Sequence, residues 1–195
     1  MWSRNFRHSR ISAVWFGLLC AIGASGQLRP IDTSKSNLTV HVYKAGMLSA
    51  FGHDHEITAP VAEGSADVQA RKVELRVRSE ALKVRDAKAS DKDRAEIQTT
   101  MAGPDVLNVA TYKEISFRST SAESAGAGVW KVIGELALHG QTHTVSMDVH
   151  ETEGRYTGSC RFNLSGFGIK PVKAVGGAVR VKDEVQVDFD IQFAR

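Results

Sequence analysis

Val185-Gln186-Val187-Asp188-Phe189-Asp190-Ile191-Gln192-Phe193 alternates apolar and polar residues without a break. Successive side chains of a strand point to opposite faces, so this run makes one greasy face and one charged face. Six further segments repeat the pattern. Leu38, Val40 and Val42 alternate with Thr39, His41 and Tyr43; Val73, Leu75 and Val77 with Glu74, Arg76 and Arg78. Ile115, Phe117 and Ser119 share one parity, as do Val145, Met147 and Val149. Trp130, Val132, Leu136 and Leu138 form another such set, and Tyr156, Cys160, Phe162 and Leu164 the last.

Strands with one wet face belong to antiparallel sheets. Seven or eight of them in one domain predict a sandwich or a closed barrel. Closure has the further advantage of removing exposed sheet edges. Turn residues fall between the runs: Ala125-Gly126-Ala127-Gly128, Glu153-Gly154, and a two-residue Gly140-Gln141 loop after His139. One segment departs from period two. Ser90 to Met101 reads as a short surface helix, with Ser90 as its cap, Asp93 in its first turn and Gly103-Pro104 as its stop.

The chain has 195 residues, 42% hydrophobic and 24% charged, which excludes a disordered chain. Arg4, Arg7 and Arg10 precede the apolar run Ile11–Ile22, and Ala24-Ser25-Gly26 follows it. This order predicts a secretory signal peptide over residues 1–26, a mature domain over 27–195, and a periplasmic or secreted location. The apolar run is shorter than the roughly 20 residues of a membrane helix, so no transmembrane segment is expected after cleavage. Without its three arginines the remainder carries 22 basic and 22 acidic residues, which gives no nucleic-acid footprint. Cys160 is then the one thiol left, so no internal disulfide forms; its apolar parity predicts a buried, inert group.

Phe51-Gly52-His53-Asp54-His55-Glu56-Ile57 is the sharpest chemical feature. As a strand it places Phe51, His53, His55 and Ile57 on one face. His143 shares parity with Val145, and His139 stands at the neighbouring turn. Two histidines at i and i+2 on a strand can share zinc or copper, with His143 as a third ligand. The same imidazoles also fit a polar lining for a ligand head group, or plain structural hydrogen bonding. Asp54 and Glu56 fall on the outward face and are poor catalytic carboxylates. Nucleophile-elbow, phosphate-loop, dinucleotide and His-Glu-x-x-His motifs are absent, and no catalytic residue is assigned.

The order of segments resembles the YceI-like family. The matching pieces are Ile31-Asp32 with Ser36-Asn37-Leu38-Thr39-Val40, then Asp93-Arg94, then Tyr112-Lys113-Glu114-Ile115-Ser116-Phe117-Arg118-Ser119-Thr120. Gly134-Glu135-Leu136-Ala137-Leu138-His139-Gly140-Gln141-Thr142, Phe167-Gly168-Ile169 and Val181-Lys182-Asp183-Glu184-Val185 complete them. Lys113 stands where the family usually has proline, and the His53-Asp54-His55 stretch looks like a subgroup feature. The resemblance implies an all-β fold: an extended, lipocalin-like antiparallel barrel of about eight strands around a hydrophobic cavity. It also implies an exported bacterial protein, some relatives of which hold a long isoprenoid chain.

On that basis the expected function is a carrier or sequestering protein for a quinone or polyprenyl lipid, requiring no cofactor. The expected lining is Leu38, Val40, Val42, Phe51, Phe117, Met147, Phe162 and Phe189, with His53, His55 and His143 as the polar end. Two alternatives stay open. One is a metal-binding or metal-dependent hydrolytic protein using His53, His55 and His143. The other is an interaction module with a filled core. The partner is a hydrophobic small molecule, and the sequence is compatible with either a monomer or a homodimer.

Overall fold

A computed structural model describes residues 28–45, 54–67, 69–174 and 179–194. The leader over 1–26, Phe51 and His53 lie outside the described residues. Twelve strands and one α-helix follow one another among those described. The strands are β1 (Leu28–Pro30), β2 (Asn37–Ala45), β3 (His55–Thr58), β4 (Val61–Asp67), β5 (Lys72–Arg78) and β6 (Lys83–Val84). After helix α1 (Asp91–Ala102) come β7 (Glu114–Gly126), β8 (Val129–Leu138), β9 (Gln141–Thr152), β10 (Arg155–Asn163), β11 (Lys173–Ala174) and β12 (Val179–Gln192).

They form one sheet in the order β1-β4-β5-β7-β8-β9-β10-β12-β2-β3-β6, with β11 added beside β12. Neighbouring strands are antiparallel throughout. The sheet curls on itself because one face of nearly every strand is apolar. The residues after β1 stitch its edge to the far end of β12. Ile31 N donates to Gly64 O at 2.9 Å, Asp32 N to Gln192 O at 2.8 Å, and Ala194 N to Pro30 O at 2.9 Å. Ile31 thus bridges Phe193 while still bonded to β4.

The fold is all-β, as expected, with more strands than the eight anticipated. The seven alternating runs are β2, β5, β7, β8, β9, β10 and β12. Two of the additional strands, β6 and β11, have two residues each, too few to show a period. The turn after β8 is shifted by one residue from the Gly140-Gln141 loop expected. Its central residues are His139 and Gly140, with φ of 52° and 73°. Both angles are positive, as the primed two-residue hairpin turn demands.

Helix α1 covers the region beside β6, the sheet edge. Ser90 caps it by accepting from Asp93 N at 3.2 Å. Gln98 then acts as a substitute strand: its Oε1 accepts from Val84 N and its Nε2 donates to Leu82 O, both at 3.0 Å. An open sheet edge is thereby satisfied by one side-chain amide. Ile97 and Met101 pack with Leu82, Val84 and Leu107 in the core beneath the helix.

Candidate functional site: an apolar cavity inside the curled sheet

The inward parities of the strands do not meet in the middle. They enclose a cavity of about 740 Å³, which lies within the range of about 300–1,000 Å³ typical of small-molecule sites. Leu38, Val40 and Val42 of β2 line it, with Phe117 of β7, Met147 of β9, Phe162 of β10 and Phe189 of β12. These are the described apolar residues expected there. Trp130, Val132, Leu136 and Leu138 continue the wall along β8, and Ile97 and Met101 of α1 complete it. Along β9 the lining runs from Val145 to Glu151, about 20 Å at the usual strand rise. The space is long and slim.

Two glycines keep it open. Gly158 of β10 lies directly across from Phe189 of β12. A Cβ on Gly158 would sit 2.6 Å from Phe189 Cζ and would also run into Asp148 O. At Gly134 of β8 a Cβ would meet Phe117 Cζ at 2.5 Å and Arg118 O at 2.6 Å. Each bare backbone gives a phenyl ring room to lie against the wall, so the rings line the space without filling it.

One end is closed by its own hydrogen bonds. Glu151 Oε2 accepts from Trp130 Nε1 at 3.2 Å and Glu151 Oε1 from Tyr156 Oη at 3.1 Å. Arg71 lies 5.7 Å above the Trp130 ring, and Phe193 packs edgewise on Tyr156 at 5.1 Å. Burial and the neighbouring Glu151 together push the Tyr156 phenol up from its ordinary value. Cys160 also lines the cavity, and burial pushes its thiol up to about 11. It is the inert group its parity predicts.

His55 of β3 is also in the lining, opposite Val42. Its Nδ1 lies 2.6 Å from Oδ2 of Asp86, whose side chain is only 2% exposed. The other oxygen of Asp86 accepts from Glu56 N at 2.5 Å. A buried carboxylate needs such partners, and here one backbone amide and one imidazole supply them. The loop carrying Asp86 is itself held by α1. Arg94 Nη1 donates to Asp86 O at 3.0 Å and to Ala89 O at 2.5 Å, and Arg94 also pairs with Asp91. Asp86 was not found from the sequence, because its partner lies 31 positions away and no local motif marks it.

The other histidines go elsewhere. His143 is exposed and absent from the cavity lining; its ring meets Phe167 edge-on at 4.9 Å. It sits at the start of β9, three positions past the turn and across from Leu136 of β8, with its ring turned to Phe167. Its expected place at the polar end is thus corrected. His139 Nδ1 bonds Phe167 O at 3.1 Å, with the ring 4.4 Å from Tyr112. No group of three or more metal-ligating side chains gathers among the described residues. Asp54 Oδ1 accepts from Lys44 N at 2.9 Å.

A single curled antiparallel sheet around an apolar cavity defines the class: a β-barrel protein with an interior space of ligand size. The chain belongs to the YceI-like family, whose domain profile matches residues 30–193. It is 25% identical over 160 residues to a UPF0312 protein of Shewanella oneidensis, covering 77% of this chain and 80% of that one. A UPF0312 protein of Shewanella putrefaciens is 27% identical over 165 residues, covering 78% and 82%. Among solved structures, Burkholderia cenocepacia BcnA shares the fold with a TM-score of 0.56 at 19% identity, over 85% of this chain and 99% of that one. The Campylobacter jejuni YCEI protein aligns over 99% and 92% with a TM-score of 0.48 at 9% identity.

Proposed function

We propose that this chain is an exported carrier that sequesters an isoprenoid-type lipid, a quinone or polyprenyl lipid, inside the barrel. The observation that carries this reading is the long, almost wholly apolar cavity, held open by Gly134 and Gly158. An apolar tail burying roughly 300 Å² there gains about 7.5 kcal/mol at about 25 cal/mol per Å². Part of that gain offsets the entropy of association. The chain needs no metal or cofactor for this task. Export follows from the basic, apolar and small-residue order of the leader.

Native mass spectrometry of protein purified from its own periplasm tests the reading. The expected result is an added mass of several hundred daltons that survives chelator and is released by organic solvent. A protein that carries nothing, and also refuses added quinones and polyprenyl lipids, would reject it. A small added mass removed by chelator would favour a metal protein instead.

A further inference from the structure

We infer that His55, oriented by Asp86, anchors the head of the bound molecule, and that this head presents a hydroxyl group. The inference rests on the lipid-carrier reading and adds a polarity to the cavity. The two ends differ in spare hydrogen-bonding capacity. At one end both carboxylate oxygens of Glu151 are occupied by Trp130 and Tyr156. At His55 the situation is reversed. Nδ1 is engaged by Asp86, and Nε2 has no hydrogen bond to any described residue, although the ring lines the cavity.

The carboxylate decides which chemistry His55 offers. Asp86 accepts through both oxygens, from Glu56 N and from the imidazole, so Nδ1 is the donor. In the neutral ring the single proton then sits on Nδ1 and Nε2 is a lone-pair acceptor. An acceptor in an apolar wall selects a donor. A hydroquinone, phenol or alcohol satisfies it; a carbonyl or ether oxygen leaves two acceptors facing each other. Charged side chains bordering the cavity are of both signs: Lys44, Arg71, Lys72, Lys170 and Arg180 beside Asp67, Asp93, Glu96 and Glu151. The tail then points toward the Trp130–Tyr156–Glu151 end.

The test compares 4-dodecylphenol with its methyl ether, 4-dodecylanisole, in delipidated protein at pH 8 by fluorescence displacement. Wild type is expected to bind the phenol about fivefold more tightly than the ether, the weight of one hydrogen bond. His55→Phe keeps a ring in place and should bring the ratio to about one, with ether affinity unchanged. Asp86 is a positioning residue, and its readout is the tautomer. The ¹⁵N shifts of His55 should show Nδ1 protonated in wild type and Nε2 protonated in Asp86→Asn, with the phenol preference lost. Equal binding of both probes by wild type, a preference that survives His55→Phe, or a protonated Nε2 in wild type overturns the inference and leaves the carrier reading standing. Binding of neither probe overturns the inference, and refusal of added quinones and polyprenyl lipids as well overturns the carrier reading. If Asp86→Asn fails to fold, His55→Phe alone decides.

Discussion

Gly158 and Phe189 face each other across β10 and β12, and the missing side chain of one is the resting place of the other's ring. A methyl group on Gly158 must displace either Phe189 or the backbone at Asp148. Gly158→Ala is therefore expected to cost about 1–3 kcal/mol, the usual penalty for overpacking. It should also swing the ring into the cavity and weaken ligand binding. Urea denaturation paired with a binding titration measures both, and loss of stability without loss of binding would show that the ring yields in another direction.

Filling the cavity should have the opposite balance. Met147 lines the space from the middle of β9. Met147→Trp adds bulk where there is room for it, so stability should change by less than about 1.5 kcal/mol. Affinity for a long-chain probe should fall at least tenfold. An unchanged affinity would mean that the ligand does not occupy the Met147 region.

Cys160 reports on the interior. Its thiol is pushed up to about 11 by burial, so at pH 8 only about one in a thousand molecules carries the thiolate. A disulfide reagent should react roughly ninetyfold or more slowly with folded than with unfolded protein. The sign of the pH dependence follows from the raised value. The neutral thiol's contribution is fully present below the ordinary value of 9.0 and is lost as pH rises through about 11. The stability difference between wild type and Cys160→Ala should shrink across that interval, as read by denaturant titration.

The outer face offers an acid-side counterpart. Arg155 Nε donates to Asp190 Oδ1 at 2.6 Å, and its guanidinium holds the Asp190 carboxyl below its ordinary value. Stability from this pair is present above the ordinary carboxylate range and is lost as pH falls through the depressed value. Both partners are partly exposed, so Asp190→Asn should cost less than about 1 kcal/mol at pH 7. That cost should vanish in strong acid, which paired urea titrations at the two pH values check.

What the sequence revealed and what it hid divide along a physical line. Alternation in runs such as Val185–Phe193 identifies a strand wherever one face is buried and the other is wet. It also identifies the cavity wall, because inward parity is the only information required. It misses β4, Val61–Asp67, because Gly64 replaces a bulky residue: a Cβ there would strike Ile31 Cδ1 at 2.5 Å. It places the hairpin after β8 one residue late because His139 gives no local hint of a positive φ. The apolar parity of His55 led to the cavity, but that of His143 did not, since its ring packs on Phe167 instead. Asp86 stayed hidden for a different reason. A lone acid between β6 and α1 acquires meaning only when the sheet brings His55 beside it.

The stitch between Ile31 and Phe193 has a consequence for how the polypeptide is made. The residues that close the barrel stand far apart in the sequence, Ile31 before β2 and Phe193 after β12. Until β12 has been made, β1 has no partner end to join, and the interior stays open to solvent. Such sequence-distant pairing makes for slow folding. Enclosure of anything in the cavity must wait until β12 is in place.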